Sequence, residues 1–425
     1  MAVHASTESW LELPAHRAWA QAHVVRLLRF FRASLDPAGR FRELDDDGRV
    51  LPMGCPPVRP PRQQMLTVTR IVHCYALGEM LGVPGCAGFV ERGLQTLWHE
   101  HRDAGHGGGY VQAIGLDGAP SDTTKAAYGH AHVLLAAAAG RAAGHELAGA
   151  LFDDAVAVID EHFWREDEGA SVEDHDRDWR ALEDYRGANS NMHLCEALLA
   201  AAEVSGDPGF AERADAIART FIDGHARRGG WLLPEHYDGR FQALRDYNRD
   251  RIDDAFRPYG ATIGHSLEWA RLILGCAQAT AGTVAGTWQL EAAESLFARA
   301  VRDGWDGEHG GLWYTVDWDG RPVNSDHYWW PVAEGIQTCA ALLQHTGRPV
   351  YEEWYRRLWE FAADHLIDEA RGGWYPQLTA ENARTEHPWY GKPDVYHVMQ
   401  AFLAPLLPAA PSLVGAVRRA REVGA

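Results

Sequence analysis

Two helical patterns alternate along the chain. In the first, apolar residues recur every three or four positions between charged ones, as in AAESLFARAVRDGW at residues 292–305, so one face is set to be buried. In the second nearly every position is apolar, as in HYWWPVAEGIQTCAALLQHTG at residues 327–347, which predicts a helix covered on all sides. A glycine turn with a short extended stretch joins the first pattern to the second. The turn recurs as GRF at Gly39, GGY at Gly108, GGW at Gly229, GGLWY at Gly310 and GGW at Gly372, with a degenerate copy, EGASVEDHD, at Gly169.

Gly108 and Gly229 are 121 residues apart with Gly169 midway, and Gly310 and Gly372 are 62 apart, so the chain holds six units of about sixty residues. The apolar helices are expected to start near Arg62, Asp122, Ala188, Ala261, Asp326 and Val395. Six helix hairpins with one strongly apolar member each suit a closed ring of six inner helices inside six outer ones. The predicted fold is therefore an all-α (α/α)6 barrel, with residues 1–425 as one catalytic domain. An open solenoid would need a polar cap at both ends, and neither end reads as one.

In such a ring the glycine turns all lie on one rim, and the first turns of the inner helices face the mouth. Arg70, His130, His193, His265, Trp330 and His397 fall there. His193 and Glu196, and again His265 and Glu268, have the i, i+3 spacing that brings side chains together on a helix. His130 and His132 face apart, and His130 is taken as the one lining the cavity. Gly229 and Gly310 are 81 residues apart, and the excess sits in residues 232–262, a long polar loop expected to act as a lid over the mouth.

Charge narrows the partners. The net charge is -19 with a pI near 5.6 and there is no Lys/Arg-rich run, which argues against nucleic acid. The opening residues lack a basic then apolar leader and no apolar run is long enough to span a membrane, so a cytoplasmic location is expected. The six cysteines, Cys55 among them, form no CxxC pair and are expected to be reduced and buried. Seventeen tryptophans favour a carbohydrate site mildly, since flat aromatic faces hold sugars. Homo-oligomerisation is compatible with the sequence and is not read from it.

Histidine suits proton transfer near neutral pH. Glu268 beside His265 would keep that ring protonated as an acid, whereas His397 has no acidic residue at i+3 or i+4 and suits a base unless Asp394 folds back onto it. Paired H-x-x-E helices also occur in di-iron bundles, but these need carboxylates on neighbouring helices, of which only Glu334 is obvious. No metal and no cofactor are expected. Glycoside hydrolysis needs two carboxylic acids at the mouth, where this chain offers histidines.

The segments NSNMHLCEALLAA, GATIGHSLEWARLIL, HYWWPVAEGIQT and GKPDVYHVMQAFLAPLLP resemble the N-acylglucosamine 2-epimerase superfamily, and within it the bacterial aldose–ketose isomerases acting on mannose or sulfoquinovose. TRIVHCYALGEMLG is similar to the family's first inner helix, so the resemblance covers nearly the whole chain. It implies a monosaccharide substrate, D-mannose or D-lyxose, isomerised through a cis-enediol. It further implies that His397 is the base moving a proton between C1 and C2, and that His265 opens the pyranose ring with Glu268 orienting it. His193 and Asn189 would polarise the oxygens at C1 and C2. Arg70, Tyr128 and Trp330 would line the pocket, and Arg257 would close it from the lid. Epimerase activity stays open, because two bases are present, as do a sulfoquinovose substrate and a non-catalytic sugar- or protein-binding barrel.

Overall fold

The computed structural model describes residues 8–51 and 62–424. Six outer helices, α1 (Pro14–Phe31), α3 (Ala87–Thr96), α5 (Glu146–Val158), α7 (Pro208–Ala218), α9 (Trp288–Gly304) and α11 (Pro349–Phe361), alternate with six inner ones. The inner set is α2 (Met65–Met80), α4 (Ala127–Ala143), α6 (Ala188–Ser205), α8 (Ile263–Ala281), α10 (Trp329–Thr346) and α12 (Tyr396–Leu403). Each inner helix packs on the next, and α12 packs on both α10 and α2, which closes the ring.

Burial follows the two patterns. All but four of the residues of α4 and all but five of those of α6 are buried, whereas α9 hides only one face, through residues such as Ala292, Ala293, Leu296, Phe297 and Ala300. Inner helices α4, α6, α8 and α10 each stop on a glycine with positive φ, Gly144, Gly206, Gly282 and Gly347, a backbone shape that frees the last carbonyls to bond without a Cβ clash. A thirteenth helix, α13 (Leu413–Gly424), packs beneath α6, α2 and α4, with Val414 and Val417 buried. The sequence pattern had not announced it.

The glycine turns form the rim. In three of them an aspartate stands before a Gly-Gly pair: Asp103 before Gly108 and Gly109, Asp306 before Gly310 and Gly311, Asp368 before Gly372 and Gly373. Its backbone exchanges hydrogen bonds with both glycines, which sit at φ between 73° and 98°. The chain then runs through short antiparallel strands, and those at Arg62–Gln64, Tyr185–Gly187, Ala261–Thr262 and Pro322–Tyr328 lead directly into α2, α6, α8 and α10. The inner-helix starts are thus pinned by sheet hydrogen bonds. Five cysteines are free and buried, as expected, and Cys55 lies outside the described residues. No described helix is long and apolar enough to cross a membrane.

Candidate active site

Counting from each helix start shows how the barrel interior is built. The second residues of α4, α6, α10 and α12 are Tyr128, Asn189, Trp330 and His397, and the sixth residues of α2, α4, α6, α8 and α10 are Arg70, His132, His193, Glu268 and Glu334. Second and sixth positions share a helix face one turn apart. The chamber therefore has an upper ring at the mouth and a lower ring beneath it.

Trp330 organises the upper ring. Its indole lies 5.0 Å from the His265 ring and 5.8 Å from the His397 ring, so the two histidines flank one flat apolar surface. The space for it comes from Gly264, the second residue of α8, where a Cβ would stand 2.2 Å from Trp330 Cζ3. Gly264→Ala is expected to move the indole and misplace both histidines, lowering kcat/KM by about 10²-fold. Steady-state kinetics with a thermal melt checks this, and wild-type kinetics in the folded variant would show that the indole position does not matter.

His397 is held from two sides. Its Nδ1 lies 2.8 Å from Glu334 Oε1, and its backbone N–H donates to Asp394 Oδ2 at 3.1 Å. Asp394 does fold back, but onto the backbone, and it also accepts from Trp329 Nε1 at 2.7 Å and pairs with Arg70 at 3.5 Å. The ring partner is Glu334, from a different helix. With Nδ1 engaged, Nε2 is the nitrogen left for a ligand.

His265 corrects a second expectation. Glu268 does not orient it: the carboxylate at His265 Nδ1 is Glu235 Oε2, 3.0 Å away. Glu268 instead lies 3.9 Å from His193 Nδ1 and 3.9 Å from Arg271. His265 is the third residue of α8 and looks sideways, while Glu268 is the sixth and looks into the lower ring.

The lower ring is a charged floor. Arg271 reaches Glu334 at 3.3 Å, Glu196 at 3.7 Å and Glu268 at 3.9 Å, and Tyr396 donates its hydroxyl proton to Glu196. Burial first, and then the neighbouring Glu334, push the Glu268 carboxyl well above the usual carboxylate range. Burial, followed by the charges of Arg70, His397, His265 and Arg271, holds His193 well below the ordinary imidazole value, so its ring is neutral at neutral pH. Donor atoms of His193, Glu196 and Glu268, and of Glu268, Glu334 and His397, lie within 4.8 Å of one another, a ligand-like grouping whose charge Arg271 already meets.

The remaining candidates divide. Arg70 donates to the Tyr128 hydroxyl at 3.0 Å and lies over the Tyr396 ring. Asn189 and Tyr128 line a cleft of about 390 Å³ at the mouth, together with Glu173, Tyr185, Glu235, Phe256 and Arg257. Arg257, from the loop expected to be a lid, is bound to Asp174 at 3.0 Å and to Glu183, and sits over the Tyr185 ring. His130 is not in the chamber: it accepts from the Tyr110 backbone N–H and packs against Phe163 under the rim. His132 faces inward in its place, 4.6 Å from the His193 ring. Sequence reasoning missed Glu235, Arg271 and His132. An arginine three residues after an inward glutamate was the available signal for Arg271.

The model of the N-acylglucosamine 2-epimerase (GlcNAc 2-epimerase) family matches residues 39–401. The chain belongs to this family. Among its relatives, a D-mannose isomerase of Thermobifida fusca is 43% identical over 413 residues, 96% of this chain and 98% of that protein. A D-mannose isomerase of Pseudomonas cannabina pv. alisalensis is 42% identical over 412 residues, 96% of this chain and 97% of its own length. A crystal structure of a D-mannose isomerase superposes with a TM-score of 0.84 at 30% identity, covering 93% of this chain and 99% of that one. The cellobiose 2-epimerase of Spirochaeta thermophila, at 20% identity and a TM-score of 0.78, shares the barrel. The (α/α)6 fold expected of the family is the fold observed.

Proposed function

We propose that the protein is an aldose–ketose isomerase that interconverts D-mannose and D-fructose. The observation that carries this reading is the pair of histidines flanking Trp330, each with its Nδ1 against a separate buried carboxylate. The pairing leaves two Nε2 atoms over one apolar plate, where a sugar can stack. The relatives named D-mannose isomerase, matched along nearly all of both chains, support it.

The geometry fits the following chemistry. His265 gives a proton to the ring oxygen as the C1–O5 bond breaks towards O5, and the O1 hydroxyl passes its proton to His193 as the aldehyde forms. His397 removes the C2 proton while His193 returns its proton to O1, giving the cis-enediol. His397 then delivers its proton to C1, and His193 takes the O2 proton as the ketone forms; when O5 of the ketose closes on C2, O5 gives its proton to His265 and His193 gives its proton to O2, which resets both rings. A neutral imidazole can take a proton from one sugar oxygen, and because burial and the surrounding charges disfavour its cation it returns that proton readily to the neighbouring oxygen. Asn189, whose buried Oδ1 has no hydrogen-bond partner, faces the same cleft and accepts from a sugar hydroxyl. The long loop ending at Thr262 closes over the bound sugar.

The charges favour a neutral sugar over a sulfonated one. Asp122, Glu173, Asp174, Glu235 and Asp254 line the mouth, and its arginines are already committed, Arg257 to Asp174 and Glu183 and Arg62 to Asp122 at 3.8 Å, while Arg70 deeper in the chamber pairs with Asp394. A sulfonate would have to displace one of these carboxylates. Proton NMR of the protein with D-mannose in deuterated water tests the proposal. Fructose carrying deuterium at C1, at a rate unchanged by a chelator, is expected. Glucose with deuterium at C2 and no fructose would make the protein a 2-epimerase, and no conversion would end the isomerase reading.

A further inference from the structure

We infer that Glu235, at the root of the long mouth loop, is the positioning residue of the ring-opening acid His265. The inference rests on the isomerase reading for His265 itself, but the contact does not. Glu235 is 3% exposed and its Oε2 lies 3.0 Å from His265 Nδ1, an ion-pair distance off the hydrogen-bond line, and among the described residues neither the carboxylate oxygens nor that nitrogen has a hydrogen-bond partner elsewhere. A buried carboxylate without another partner is costly unless a donor shares its site. His265 Nδ1, 3.0 Å away, is the group placed to become that donor by a small turn of either side chain.

The backbone explains why Glu235 can do this. Its carbonyl accepts from the N–H of Ala188, the first residue of α6, and the next residue, His236, pairs with Gly187 in the short sheet that leads into α6. Glu235 is thereby fixed to the barrel, while the chain beyond Asp238 leaves as the long loop. That loop returns through Pro258, whose carbonyl lies 2.9 Å from His236 Nε2, and re-enters the barrel at Thr262, three residues before His265. The carboxylate and the imidazole thus sit at the two feet of one loop. Closure over a sugar has to move the loop without parting its feet, so the pair stays set through the catalytic cycle.

The role is specific. A carboxylate on Nδ1 fixes the proton there, aims Nε2 at the sugar, and stabilises the imidazolium that donates to O5 when the C1–O5 bond breaks. In the transfer the proton moves from Nε2 to O5, the bond pair stays on O5, and the O1 proton leaves to His193, so no charge is created beyond the shift between the two imidazoles. Glu268 has no part in this pair.

A double-mutant cycle on the full-length enzyme tests the assignment. Glu235→Gln is expected to lower kcat for D-mannose by about 10- to 100-fold with a smaller change in KM. In a His265→Ala background the same substitution is expected to change kcat less than about twofold, because a residue acting through His265 has nothing left to act on. Equal losses in both backgrounds would make Glu235 a merely structural group and overturn the inference. The imidazole nitrogen shifts of His265 give a readout that needs no turnover. At a pH where the ring has given up its second proton, wild type and Glu268→Gln should keep the remaining one on Nδ1, and Glu235→Leu should move it towards Nε2. An unmoved tautomer in folded Glu235→Leu would also overturn the inference. A wild-type protein that leaves D-mannose unchanged while Glu235→Leu shifts the tautomer would sink the isomerase reading alone.

Discussion

His397→Ala is expected to lower kcat/KM for D-mannose by about 10³-fold or more, the upper part of the range for removing a general base, while mannose still binds. Among the described residues His397 is the one chamber histidine with a hydrogen bond between Nδ1 and a buried carboxylate, so its Nε2 is fixed in direction. Removing the ring leaves Glu334 with Arg271 at 3.3 Å and Gln337 Nε2 at 2.8 Å, so the floor keeps its charge balance and the fold should survive. The side chains of Arg70, Tyr128, Asn189 and Trp330, proposed to hold the sugar, are untouched. Kinetics, a calorimetric mannose titration and a melt together read this out. Loss of binding with turnover would make His397 a ligand-holding group, and retained turnover would remove it from the mechanism.

The barrel was legible because its signals are local and repeated: a glycine turn every sixty or so residues and a strict alternation of half-apolar with all-apolar helices. The histidines were legible for the same reason, since each falls near the start of an apolar helix. Their partners were not. The i, i+3 rule pairs residues within one helix, yet Glu334 reaches His397 from α10 and Glu235 reaches His265 from a strand edge. Neither separation is written in any sequence period.

The His130 and His132 choice failed differently. Two positions apart means about 200° of rotation, so the sequence says that they face opposite ways and not which one faces in. The true helix start at Ala127 decides it, because His132 is then the sixth residue, in register with His193 and Glu334. The expected start near Asp122 was five residues early, since the stretch up to Asp122 is strand and the chain turns before α4 begins. Boundaries set by sheet pairing and turns cannot be read from apolar periodicity.

Arg271→Met is expected to destabilise the protein by about 3–5 kcal/mol at pH 8, the usual result of stripping the counter-charge from buried carboxylates. Methionine keeps most of the volume, so the loss reports charge. Glu196, Glu268 and Glu334 would then face one another at the centre of the barrel, with Arg271's charge gone from 3.3 Å to 3.9 Å away. The pH dependence has a definite sign. Burial and Glu334 hold the folded Glu268 carboxyl above its unfolded value of 4.5, and Arg271 is the charge that pulls it down. A group raised on folding contributes its stability fully below the unfolded value and loses it as pH rises through the folded one. Without Arg271 the folded value rises further and Glu268 stays protonated to higher pH. The deficit of Arg271→Met relative to wild type should therefore be greatest at pH 8 and shrink towards pH 5, and Glu268→Gln in the same background should recover part of it. Urea unfolding across that range measures it. A deficit independent of pH would mean that Arg271 stabilises by packing rather than by its charge.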